Sequence, residues 1–178
     1  MQSRKQYVFL IDAFDPTNSE DGIPIPGDKG YNFTEWGVSY ESNVSKPISI
    51  INEFTYGSFF NGKRLSYSGT GLMRIQPRFL LTLQWDFNRV VLPNPYPTAN
   101  IVLVSPKVEY TFSKKLFWST LIQFSNQMDN LGINSRLQWR FAPLSDLFLV
   151  YNDNYYTHGT IQPNFRSINL KLTYWLNL

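Results

Sequence analysis

Residues 169–178 read Asn-Leu-Lys-Leu-Thr-Tyr-Trp-Leu-Asn-Leu. Leu170, Leu172, Tyr174, Leu176 and Leu178 thus alternate with Asn169, Lys171, Thr173, Trp175 and Asn177. Successive side chains of a strand point to opposite faces, so one face here is apolar and the other mostly polar. Two architectures share this pattern: a strand that ends a soluble sandwich, and a strand whose apolar face meets lipid. The rest of the chain discriminates between them.

Period-2 alternation recurs along the whole sequence, and no stretch carries a convincing helical period. Ten strands are expected, at about 4–14, 31–43, 47–60, 63–76, 79–92, 100–112, 115–127, 130–142, 145–155 and 166–178. Most of these exceed the roughly 5–6 residues usual in soluble sheets. They suit a tilted membrane-spanning strand, which needs about 9–11 residues plus overhang. The joins add a second test. Those after odd strands include the long 15–30, with Pro16, Asn18, Gly22, Pro24, Pro26 and Gly27, then 93–99 and 156–165. Those after even strands are tight: Asn43–Lys46, Gln76–Arg78, Ser113–Lys114 and Pro143–Ser145. Asn61–Gly62 and Met128–Asp129 are short joins on the long side. Short turns at one rim and longer loops at the other is the pattern of outer-membrane barrels.

Composition agrees. Charged residues are 16% and aromatics 17% of 178 residues, while mean hydropathy is only −0.26. No apolar run approaches the roughly 20 residues of a membrane-spanning helix, whereas a barrel hides its hydrophobicity in alternation. Cysteine is absent, which removes disulfide and thiolate chemistry. The net charge of +3 is spread along the chain without a Lys/Arg block, so no nucleic-acid partner is expected. The length suits one domain, 1–178. Residues 1–15 lack the features of a signal peptide, so a mature form or a piece of a longer protein is expected.

The apolar faces are rich in large rings. Phe79, Leu81, Leu83, Trp85 and Phe87 oppose Thr82, Gln84, Asp86 and Asn88; Leu131, Ile133, Leu137, Trp139 and Phe141 oppose Asn134, Arg136, Gln138 and Arg140. Ten such faces would overfill a small closed interior, where packing is near crystalline. The expectation is therefore that Leu83, Trp85, Leu137, Trp139, Leu172 and Leu176 face lipid. Gln84, Asp86, Arg136, Gln138 and Lys171 are expected on the interior. Aromatics near the rims read as interfacial girdles: Tyr40, Phe79, Phe112, Phe117, Phe141 and Trp175 at one, Phe14, Phe33, Phe59, Phe60, Phe124 and Tyr155 at the other. Pro106 inside a strand removes one ladder hydrogen bond and predicts a bulge or local edge.

Two resemblances follow from these residues. The alternation running to Leu178 resembles the C-terminal recognition signal of bacterial outer-membrane barrels, which most often ends in Phe or Trp. The segments Phe112–Tyr155 and Asn88–Leu103 resemble the last strands of a Bacteroidota outer-membrane family of unknown function. The matching elements are the Leu-Pro after strand five, the Phe-Ser-Lys-Lys-Leu-Phe turn, the Gln-Phe-Ser-Asn strand, the Asn-Ser-Arg-Leu-Gln-Trp-Arg strand and the Pro-Leu-Ser-Asp-Leu-Phe turn. The resemblance is strong over 79–178 and looser over 1–78. Members of that family join an N-terminal family-9-like carbohydrate-binding domain to a C-terminal barrel. The resemblance implies an outer-membrane location, further barrel strands before Met1, and a carbohydrate role carried by a domain for which 1–178 has no room.

Catalytic chemistry is sparse in the sequence. His158 is the single histidine and lacks a second His or Cys for metal or nucleophilic work, so it reads as a loop residue. Gly69 and Gly71 on alternate strand positions read as a close-approach or kink site, not a phosphate cradle. Glu53, Asp86 and Glu109 fall on polar faces, and only Asp86 and Glu109 sit on neighbouring strands as a glycosidase pair would require. Those faces also bear Lys and Arg, so the expectation is a structural polar network in the lumen, formed by Arg74, Asp86, Lys107, Glu109, Arg136 and Arg140. No catalytic, cofactor or metal site is expected. The fold expected is all-β: an antiparallel up-and-down transmembrane β-barrel of about ten strands, or the C-terminal part of a larger one, in the cell outer membrane. The role expected is a membrane-embedded scaffold or a transport or export component, partnered by lipid, upstream strands or other outer-membrane subunits. Two alternatives stand beside it: a membrane-anchored hydrolase with its active part in an absent N-terminal domain, and a soluble lipocalin-like binder.

Overall fold

The computed structural model describes residues 2–17 and 22–176. Ten strands follow in chain order: β1 (Gln2–Leu10), β2 (Lys29–Glu41), β3 (Ile48–Phe59), β4 (Gly62–Ile75) and β5 (Phe79–Val91), then β6 (Ala99–Ser113), β7 (Leu116–Ser125), β8 (Asn130–Ala142), β9 (Ser145–Tyr156) and β10 (Gln162–Thr173). They form one antiparallel up-and-down sheet in the order β1 to β10. No ladder joins β1 to β10 among the described residues, so the sheet is not closed into a barrel. Pro106 lies within the continuous β6. By contact the chain divides into two units. The first is Met1–Ser42, Ile50–Thr70 and Trp85–Leu103; the second is Asn43–Ser49, Gly71–Gln84 and Val104–Leu178.

In the second unit the register makes the two faces explicit. Leu116, Trp118, Ile122 and Phe124 of β7 stand opposite Trp139, Leu137, Ile133 and Leu131 of β8. Leu137 and Trp139 stand opposite Leu149 and Leu147 of β9, and these stand opposite Leu170 and Leu172 of β10. Directly paired residues share a face, so a continuous apolar surface crosses all four strands. Ser119, Arg136, Gln138, Asn152, Ser167 and Lys171 lie on the other face. The apolar surface is open: Leu170 is 68% exposed and Trp139 48%.

The first unit repeats the division. Trp36, Val38 and Tyr40 of β2 oppose Tyr56, Phe54 and Asn52 of β3, and Trp36 is 52% exposed. The Trp85 ring covers Gly69 so closely that a Cβ there would stand 2.5 Å from Trp85 Cζ2. Gly69 is thus the close-approach site that its spacing suggests. The opposite face holds a small core. Phe14 and Ile25 of the first long join bond backbone to backbone, and Ile25 is fully buried. The rings of Phe14, Tyr31, Phe33 and Phe59 gather around Phe60, with centroids 4.8–5.9 Å from it. This corrects the girdle assignment of Phe14, Phe33, Phe59 and Phe60. Tyr31 and Phe33 share the face of Glu35, opposite to Trp36, so these rings pack on one another on that face. Val8 stands opposite Tyr31 on that face, so it adds an apolar side chain beside the ring cluster. Phe117 is likewise on a polar face, opposite Gln138, with the Arg140 guanidinium 5.9 Å from its ring centre.

Strand ends match the alternation to within about two residues from β2 to β9. The termini differ. β10 starts at Gln162 and stops at Thr173, opposite Asp146; its partner begins at Ser145, so β9 has a single residue left beyond that pair. Trp175 N–H instead donates to the Ser145 hydroxyl, 3.1 Å away. Asn177 and Leu178 lie outside the described residues.

Candidate functional site

Alternation on β7 to β10 separates three groups of polar side chains, two on the polar face and one on the apolar face. The lower part of the polar face is charged. Glu109, Thr111, Phe117, Ser119, Arg136 and Gln138 surround a cavity of about 200 Å³. Glu109 also borders a second space of about 310 Å³ with Arg74 and Arg78. Lys107 pairs with Glu109 at 3.0 Å, and Arg140 with Asp146 at 3.5 Å. Gln138 also donates to Asp146, at 3.0 Å. Arg74 donates to the Val44 carbonyl, at 3.0 Å. Of the six residues expected in the polar network, Arg74, Lys107, Glu109, Arg136 and Arg140 belong to this second unit. Asp86 belongs to the first. There it accepts a hydrogen bond from Asn88, whose own oxygen accepts one from Ser66. The first unit also contains an ion pair that the sequence reading did not single out, Arg64 with Glu35 at 2.7 Å.

Nearer the long joins the polar face loses its charge. Register rows run Gln123, Gly132, Asn154, Phe165 and then Leu121, Asn134, Asn152, Ser167 across β7 to β10. Asn134 donates to Asn152, and Asn152 to Ser167. A cavity of about 160 Å³ opens between these rows.

The third group sits on the apolar face and went unseen in the sequence. Asp153, 3% exposed, accepts hydrogen bonds at one carboxylate oxygen from Tyr151, Tyr155 (2.7 Å) and Arg166 (Nε 3.0 Å, Nη2 2.7 Å). Arg166 Nη2 also donates to the Tyr155 hydroxyl at 3.1 Å. Asp153 and Arg166 are directly paired across β9 and β10, so the ion pair follows from register. Beside it, Trp118 Nε1 and the Thr120 hydroxyl donate to the Ser135 hydroxyl at 2.9 and 2.8 Å. The signal was present in β9: an Asp occupies the same parity as Leu147, Leu149, Tyr151 and Tyr155. An ion pair satisfied by two phenols can sit on such a face at much lower cost than either charge alone.

No group of three or more His, Cys, Asp or Glu residues fit to hold a metal occurs among the described residues. His158 Nδ1 lies 3.1 Å from Asp129 at the loop end. Compared with family models, curated proteins and solved structures, the chain matches none.

Proposed function

We propose that this chain is the lipid-facing strand array of an outer-membrane β-barrel, a membrane-embedded scaffold or a component of transport or export. One observation carries the reading. Large apolar side chains cover one face of paired strands in each unit and remain open to the surroundings, among them Trp36, Val38, Tyr40, Trp139, Leu170 and Leu172. Among the described residues few apolar side chains are buried: Ile25, Tyr31, Val90 and Leu92. A lipocalin-like binder would turn its apolar face inward and bury it; exposed apolar patches of this extent are unusual in water. Strands of 9 to 15 residues cross about 25–30 Å of hydrocarbon when tilted.

In lipid the outer edges of β1 and β10 need ladder partners, because each unsatisfied backbone group in hydrocarbon costs several kcal/mol. Membrane partition tests the reading. The native protein should stay with the outer-membrane fraction after salt and alkaline washing and require detergent for release. Recovery as a soluble monomer without detergent would overturn it.

A further inference from the structure

We propose that the uncharged cavity on the polar face of β7 to β10 binds a neutral polyhydroxylated solute, the size of one sugar ring. The three register rows nearest the long joins are Ser125, Asn130, Tyr156, Gln162; Gln123, Gly132, Asn154, Phe165; and Leu121, Asn134, Asn152, Ser167. No Asp, Glu, Lys, Arg or His occurs among these twelve positions. Asp153 borders the cavity; its Oδ2 is taken by Arg166 and the two tyrosines of the other face, and its Oδ1 is buried without a partner. The first charges on the polar face are Arg136, one row below, and Lys171 beyond it. At the loop end His158 is matched to Asp129. A phosphate or carboxylate therefore finds no counter-charge here.

What the cavity does offer is amides. Each carries two donors and an acceptor on adjacent atoms, the complement of neighbouring hydroxyls that donate and accept at once. Asn154 lines the cavity, and its amide oxygen is buried without a hydrogen-bond partner. Phe165, paired with Asn154 and 59% exposed, presents an aromatic ring to the C–H face of a sugar. Gly132 makes the room. It lies between Gln123 and Asn154 in the row, and nothing stands within 4 Å of where its Cβ would be. The volume of about 160 Å³ fits a single ring and not an oligosaccharide. The site lies on the face away from the apolar surface, so it does not depend on what covers that surface.

The test is a nuclear magnetic resonance titration of the detergent-solubilised full chain with D-glucose, D-galactose and glucose 6-phosphate. It follows the side-chain amides of Gln123, Asn134, Asn152 and Asn154. The neutral sugars should produce saturable shifts in these amides, and glucose 6-phosphate should bind no more tightly than glucose. Gly132→Leu, which fills open space, should abolish the response while leaving the backbone spectrum folded. Phe165→Ala, at an exposed position, should weaken binding roughly tenfold through loss of ring contact, and it decides the matter should Gly132→Leu fail to fold. Absence of saturation with both neutral sugars, tighter binding of the phosphorylated sugar, or unchanged affinity in folded Gly132→Leu or in Phe165→Ala would overturn the proposal. Membrane partition is a separate readout, so either proposal can fail without the other.

Discussion

At the scale of single residues, side-chain parity decides which substitutions are tolerated. Leu137 stands mid-strand on β8, between Trp118 of β7 and Leu149 of β9. Leu137→Arg should therefore destabilise the protein in lipid vesicles by about 2–4 kcal/mol, the cost of Arg on a lipid face near the midplane. Equilibrium unfolding in vesicles measures it, and a change near zero would mean that this face meets water. Gly57 illustrates a different constraint. It is buried opposite Glu35, and a Cβ there would stand 2.3 Å from the Thr34 carbonyl oxygen and 2.6 Å from Glu35 Cα. Backbone cannot yield as a side-chain tip can, so Gly57→Ala should cost about 1–3 kcal/mol by overpacking, read as a lower denaturation midpoint. The Asp153–Arg166 pair was legible in part. Parity alone marks Asp153 as out of place on an apolar face, but its partner depends on the β9–β10 register, which a bulge between Pro163 and Phe165 shifts. That bulge has no sequence signature strong enough to place Arg166 opposite Asp153.

At the scale of elements, alternation located the ten strands because a half-apolar strand cannot slip by one residue without inverting both faces. It failed at β10, where the apolar pattern runs on past the strand. Pattern reports which side chains would share a face, whereas strand length depends on how much partner backbone exists, and β9 offers none before Ser145. The same limit explains the aromatic cluster around Phe60. Phe14, Phe33 and Phe59 look like rim residues by position; Phe33 and Phe59 meet across the β2–β3 pair, and the path of the first long join adds Phe14. The tie between the Ser145 hydroxyl and Trp175 N–H is testable. Ser145 is 1% exposed, and Ser145→Ala should cost about 1 kcal/mol for the lost hydrogen bond. Amide exchange at Trp175 should rise with it while exchange in the centre of β9 stays as it was. Equal acceleration along all of β9 would show that the hydroxyl holds the strand and not the tail.

At the scale of the whole molecule, ten antiparallel strands in sequence order present apolar surface that each unit leaves uncovered, and two outer edges that lipid would not tolerate unpaired. The first is costly in water and the second in lipid, so the proposed bilayer placement requires that the edges find ladder partners there. The proposed placement requires that the surface bearing Leu131, Ile133, Leu137 and Trp139 meets hydrocarbon. Spin labels placed singly along β8, from residue 131 to residue 139, in protein reconstituted into vesicles test it most directly. Collisional access to oxygen, which concentrates in lipid, should peak at residues 131, 133, 137 and 139. Access to a water-soluble nickel chelate should be lowest at those four positions. High access to the nickel chelate at Leu137 and Trp139, without alternation in the oxygen signal, would contradict it.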